Sequence, residues 1–377
     1  MSCNPSAQAA KPDSNPDNED EIECIPYVFH DTPELLPEGT NGTMGTSKRY
    51  VYFGDFPQDV LSYEMEAKLT FDEENAITRG YLTYIPANDG NYYVYMLENA
   101  QKNALNTPTY TDGTEVKRKN ENSYRYFKVM PLKWVVLTDN YDVDGSSGNK
   151  TGSLLFCENV ITGGIKYNPS PDYTNFKNYT EVNGEHSFSD FKESQIRGYL
   201  NGIATYYSQY SVDYTSNGFL QTAFSPEAIN KIITTCVDNS KEQQFYPDNE
   251  INYSNTNDKI FLLSTIELTN SEYGFGDMTQ TDVRKRFATD YAKSAYSDIY
   301  QYSGYGTYYF TRSRYTRIYN LVGAGRPDDN YYYGYVDIVM FDGSMLDGYF
   351  PSGHAYNAFT DPSFFGSVLP ALCVNLE

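Results

Sequence analysis

Residues 191–207 read FKESQIRGYLNGIATYY. Ile196, Tyr199, Leu200, Ile203 and Tyr207 recur there at helical spacing, so an amphipathic helix is predicted over Phe191 to Tyr207. A second helix is predicted to follow, with Ser225 as cap, Pro226 at the first helical position, and Ile229, Ile232 and Ile233 facing inward. Ser264-Thr265-Ile266-Glu267 has the capping-box pattern, and Thr281 to Tyr296 also reads as helical. Upstream, Arg49 to Gly54, Tyr92 to Met96 and Tyr124 to Leu137 alternate or carry aromatic and β-branched residues, as strands do. Asp258 to Leu263 reads as a buried strand. Strands, then central helices, then a loop-rich β-region predict an α+β fold.

The composition narrows the function. The chain has 377 residues, with 28 Lys+Arg against 50 Asp+Glu and a formal charge of −22. Binding a phosphate backbone needs clustered cations, so no nucleic-acid partner is expected. The same acidity argues against an anionic membrane surface as the main ligand, and no apolar run approaches the ~18 residues of a spanning helix. There are 39 tyrosines but one tryptophan and three histidines. Histidine chemistry has few candidates; amphipathic contact surface is abundant.

Five cysteines are scattered at Cys3, Cys24, Cys157, Cys236 and Cys373, with no CxxC pair and no zinc spacing. Cys157 and Cys373 lie in apolar runs and read as small buried hydrophobes. Cys3 heads a polar, acidic stretch that reads as a disordered tether over residues 1–47. A lipid on Cys3 would anchor that tether to a membrane. The ordered chain is then expected to begin near Lys48, giving one domain over residues 48–377.

Catalytic patterns are not found. His30, His186 and His354 sit in polar contexts far apart and read as exposed loop histidines, and no GxSxG accompanies them. No Gly-rich phosphate loop and no singled-out carboxylate pair is present. Asn140 to Gly145 matches the first half of a calcium loop, but Thr151 stands where a bidentate Glu is required, so a plain turn is expected. Neither a metal nor a cofactor is expected.

The C-terminal part changes character. No lysine follows Lys293, and 14 of the 84 residues from 294 onward are tyrosine. Arg314 to Asp337 reads RYTRIYNLVGAGRPDDNYYYGYVD and lacks Lys, Glu, Gln, Met and Trp. Those five residue types are the ones that a randomised adenine in AAC or AAT codons cannot yield. Tyr with Asn, Asp and Gly gives large contact area at low entropy cost, the composition of a binding surface. A strand would send Tyr331, Tyr332, Tyr333 and Tyr335 to both faces, so several must be exposed.

Several landmarks run in order along the chain. Phe53 to Gln58 resembles FGxYPQ, Tyr126 to Leu137 resembles YFKVePIkWrVL, and Ser194 to Gly202 resembles SkIRxfLNG. Gly218 to Ser225 and Asp258 to Ser264 continue the series, and Gly366 to Cys373 resembles GVxPALC. The chain thus resembles the treponemal variable proteins diversified by retroelements, of the TvpA type, and their DUF6273-like relatives, over residues 48–377. The resemblance implies a C-type lectin fold of the formylglycine-generating-enzyme subclass: two main helices beside a small twisted antiparallel sheet with long loop insertions. It also implies a surface lipoprotein, outer-membrane anchored in a bacterium, with a variable ligand-binding region near residues 310–366. Relatives carry WLRS before that region; here Phe310-Thr311-Arg312-Ser313 stands in its place. The subclass works through cysteines near its C-terminal active site, where this chain has only Cys373 in an apolar strand, so oxidase activity is not carried over.

The resulting expectation is a non-enzymatic, monomeric binder of a protein or glycan. Its ligand face would hold Tyr315, Arg317, Tyr319, Asn320, Arg326, Asp328, Asp329, Asn330, Tyr331, Tyr332, Tyr333, Tyr335, Tyr356 and Asn357. Trp134, Leu200 and Phe261 would be scaffold. The competing readings are a carbohydrate-active enzyme on the same fold and an invariant envelope spacer.

Overall fold

The structure is a computed structural model that describes residues 22–99, 108–145, 150–167, 190–207, 210–243, 254–279, 281–295, 306–320, 330–346 and 365–376. In chain order the strands of the N-terminal half are β1 (Glu34–Leu35), β2 (Tyr50–Val60), β3 (Ile77–Arg79), β4 (Leu82–Pro86), β5 (Tyr92–Leu97) and β6 (Tyr124–Asp142). Then come β7 (Thr151–Cys157), β8 (Thr162–Lys166), β9 (Ala204–Tyr207), β10 (Tyr210–Asp213), β11 (Ile232–Ile233), β12 (Thr235–Val237), β13 (Thr256–Asp258) and β14 (Ile260–Phe261). The last are β15 (Tyr309–Asn320), β16 (Asn330–Val339), β17 (Met345–Leu346), β18 (Phe365–Val368) and β19 (Ala371–Val374). The helices are α1 (Tyr63–Glu66), α2 (Gln195–Asn201), α3 (Phe219–Ala223), α4 (Pro226–Lys231) and α5 (Asp290–Ala295).

The expected lectin architecture does not form. The molecule is mostly β, 38% strand against 18% helix, and its main sheet is a curled antiparallel half-barrel. The helices are five and short, where two main helices beside a small sheet were expected. The sequence reasons are local. Ser194 caps α2 as its side chain accepts from the Arg197 N–H, but Gly202 ends it in the left-handed region at φ 61°. The positive φ is what favours glycine there; a Cβ would also meet the end of the Gln221 side chain at 1.9 Å, which would have to move aside. The chain beyond it turns into β9. The second helix is capped by Ser225 as expected, yet Ile232 and Ile233 leave it to pair with Val374 and Cys373. In the third, Ala288 bridges Val160, leaving a single helical turn at Asp282–Arg284 and then α5.

The ten-stranded sheet runs β11-β19-β7-β6-β5-β4-β3, with β2 also on β6, β1 on β2 and β14 on β19. β6 is its spine. Arg125, Phe127 and Val129 alternate inward, then Leu132 and Trp134 to Leu137 are all buried where the sheet is covered on both sides. Trp134 donates its indole N–H to Phe53 O at 2.8 Å. Phe53 and Phe56 of β2 receive Phe224, Phe219 and Tyr291 from the helical layer, at ring distances of 5.1–5.4 Å. Gly54 lies at a bulge in β2 with φ 75°, and a Cβ there would enter the Phe224 ring. The scaffold residues Leu200 and Phe261, and both Cys157 and Cys373, are buried. Burial raises each of the two thiols to about 12.

Part of the acid excess is turn chemistry. Asp112, Asp213, Asp277 and Asp342 each accept the N–H and hydroxyl of the Thr or Ser two residues on. Asp142 does the same with the N–H groups of Asp144 and Gly145, so Asn140 to Gly145 ends in an Asx-type turn.

Candidate functional site

The FTRS stretch, residues 310–313, lies in β15 at the root of a long hairpin. Arg312 is buried and paired with Glu267: its Nη2 donates to Oε1 at 3.0 Å, and Nη1 contacts Oε2. The same guanidinium donates to Leu262 O at 2.8 Å and Asp238 O at 3.2 Å. Glu267 also accepts from the Tyr141 hydroxyl at 2.6 Å and the Ser264 N–H at 2.7 Å, while its own N–H donates to Ser264 Oγ. The capping box read from the sequence is therefore present, and its carboxylate serves the hairpin as well. Burial is the largest single influence and would raise the Glu267 carboxyl; the charge of Arg312 together with the hydrogen bonds from Arg312, Tyr141 and the Ser264 N–H holds it below the ordinary carboxylate range. Ser313 accepts from Thr265 N–H at 2.8 Å and donates to Gln243 O at 2.6 Å. Thr311 donates to Asp337 O at 2.8 Å, tying β15 to β16. Residues 309–313 and 336–339 are all buried, so the root is part of the core.

Beyond this root the ladder continues, antiparallel, from Arg314↔Val336 through Tyr315↔Tyr335, Arg317↔Tyr333 and Tyr319↔Tyr331 to Asn320↔Asn330. Directly opposed residues share a face, and the period of two places Tyr315, Arg317, Tyr319, Tyr331, Tyr333 and Tyr335 together. Asn320, Asn330 and Tyr332 fall at positions of the opposite parity. Arg326, Asp328, Asp329, Tyr356, Asn357 and Cys3 lie outside the described residues. So do His186 and His354.

His30 is not the exposed loop histidine expected. Its Nδ1 is 2.9 Å from Asp55 Oδ1, its N–H donates to Oδ2 at 2.9 Å, and the Tyr27 hydroxyl donates to Oδ1 at 2.7 Å. Asp55 is buried, so one carboxylate clasps the N-terminal segment onto β2. Tyr27, Phe29 and Leu36 pack on the core and Met44 is inside it, so the chain joins the domain well before Lys48. The hydrogen bond to Asp55 raises His30 above its ordinary 6.5, against the opposing effect of burial. A raised histidine stabilises fully below its unfolded value and loses that contribution as pH rises through the folded value. Stability measured by urea midpoint is thus expected to decline above about pH 6.5. Asp55→Asn should flatten that slope; an unchanged slope would show that His30 is not its source.

Among the described residues no group of three or more His, Cys, Asp or Glu could hold a metal ion, and no helix is long and apolar enough to cross a membrane. The described geometry is that of a hairpin held by its root. The chain belongs to DUF6273, described as a domain of unknown function, whose family model matches residues 153–375. That span begins inside β7 and ends after β19, while β1 to β6 of the same sheet precede it. No curated protein and no solved structure matches the chain.

Sequence reasoning missed the Arg312–Glu267 pair and the His30–Asp55 clasp. The residues stand 45 and 25 positions apart. The FTRS stretch and the capping box each marked one half of the first pair; nothing in the local pattern marked Asp55.

Proposed function

We infer that the protein is a non-enzymatic binder whose ligand face is the outer part of the β15–β16 hairpin. The observation that carries this is the register, which brings Tyr315, Arg317 and Tyr319 opposite Tyr335, Tyr333 and Tyr331. A tyrosine- and arginine-bearing face recognises a protein or glycan through stacking, hydrogen bonds and planar charge-assisted contacts. The root supports the reading, because a buried ion pair fixes the hairpin while the residues beyond it are free to differ between copies of the gene. In this reading the outer segment is diversified by a retroelement, as in the TvpA-type proteins, and the domain is displayed at a bacterial surface.

Deep sequencing of the 3′ end of the gene across a population, with any near-copy beside it, tests the diversification. Substitutions should concentrate between codons 310 and 366, at positions where the copy has adenine. Sparse substitutions spread evenly over the gene would sink it and leave a fixed binder.

A further inference from the structure

A second aromatic surface lies far along the sequence from the hairpin. Register places Tyr95 of β5 opposite Tyr126 of β6, with Tyr124 two residues along on the same face. The rings form a column. Tyr124 stacks on Tyr95 at 5.2 Å and 23°, Tyr95 lies 4.5 Å from Tyr126 at 33°, and Tyr126 stacks flat on Phe71 at 3.9 Å and 3°. Tyr93 closes the Phe71 end edge-on at 5.6 Å. At the other end Tyr124 and Tyr95 are 41% and 49% exposed. A stack open at one end has room for one more flat group.

Two carboxylates lie beside the column. Glu66 and Glu73 both act electrostatically on Tyr95 and Tyr126. Glu66 Oε2 is buried with no hydrogen-bond partner. Of the cations near the column, Arg125 is buried and paired with Asp112 at 2.8 Å, Lys68 is paired with Glu64 at 2.9 Å, and Lys128 stands opposite Tyr93 at the closed end. The molecule uses the complementary arrangement internally, since the Arg125 guanidinium lies 4.0 Å over the Tyr63 ring and that of Arg79 lies 4.0 Å over Phe29. A guanidinium is flat, cationic and weakly hydrated, so it satisfies both the stack and the carboxylates, whereas an ammonium satisfies only the charge.

We propose that the Tyr124–Tyr95–Tyr126–Phe71 column, with Glu66 and Glu73 beside it, is a docking surface for an arginine side chain presented by a partner polypeptide. The overall charge of −22 steers basic partners toward the protein; the column selects arginine among them. This site is independent of the hairpin and precedes the span matched by the family model, residues 153–375.

The test is calorimetric titration of the full chain with hexa-arginine and hexa-lysine peptides at moderate salt, which weakens non-specific attraction. Hexa-arginine should bind roughly tenfold tighter than hexa-lysine. Tyr124→Ala should remove that preference and leave hexa-lysine binding unchanged, and Glu73→Gln at the exposed rim should weaken both peptides. Unfolding temperatures of the variants report whether they remain folded, and the Glu73 variant carries the test if the Tyr124 variant does not. Equal affinity for the two peptides, or a preference that survives Tyr124→Ala with Glu73→Gln also silent, overturns the proposal and leaves only the bulk acidity of the chain.

Discussion

Replacing Glu267 by alanine is expected to lower the free energy of unfolding by about 3–5 kcal/mol, the range for removing one partner of a buried ion pair. The loss is large because the change strands more than one group. Arg312 keeps its charge in a site with almost no solvent exposure. The Tyr141 hydroxyl and the Ser264 N–H lose their acceptor in the same stroke. A buried donor left without a partner costs about 1–3 kcal/mol by itself. Glu267→Gln keeps the shape and an acceptor oxygen, so its cost should fall below that of alanine. Urea denaturation of the two variants beside the parent reads the difference. A loss under about 1 kcal/mol for the alanine variant would mean that the root is held by its backbone ladder and not by this pair.

What the sequence shows and what it hides follow from the range of each interaction. Strand alternation is local, so β2, β5 and β6 are legible to within a few residues. Capping is local too, which is why Ser225 and the Ser264–Glu267 box read correctly. The central helix is over-read because Ile203 and Tyr207 continue a helical spacing past Gly202, and the spacing says nothing about the left-handed turn that ends the helix at this glycine. Ile232 and Ile233 were read as a helix face; their strand partners, Val374 and Cys373, lie at the far end of the chain. The resemblance placed the chain in DUF6273 and implied the wrong architecture. A motif series fixes the order of landmarks, while the layer arrangement depends on pairings such as β19 against β7 that no motif encodes.

The hairpin separates two jobs along one strand, and that separation predicts an unusual mutational result. Tyr331→Ala with Tyr333→Ala removes two tyrosines whose register partners are Tyr319 and Arg317. If both belong to the ligand face, each is a candidate hot spot of at least about 2 kcal/mol, so the pair should weaken binding by roughly a hundredfold or more. The unfolding temperature should move by no more than about 2 °C, because Thr311 and Arg312 tie the root of the hairpin to Asp337 and Glu267 whatever stands at positions 331 and 333. The measurement is saturable binding of parent and double variant across a library of host proteins and glycans, with thermal unfolding of both. Lost binding with unchanged stability assigns the rings to the ligand. Lost stability assigns them to the core, and the variable surface would then have to lie at the ladder positions of opposite parity. Neither substitution touches Arg312 or Glu267, so a change in stability could not be blamed on the root.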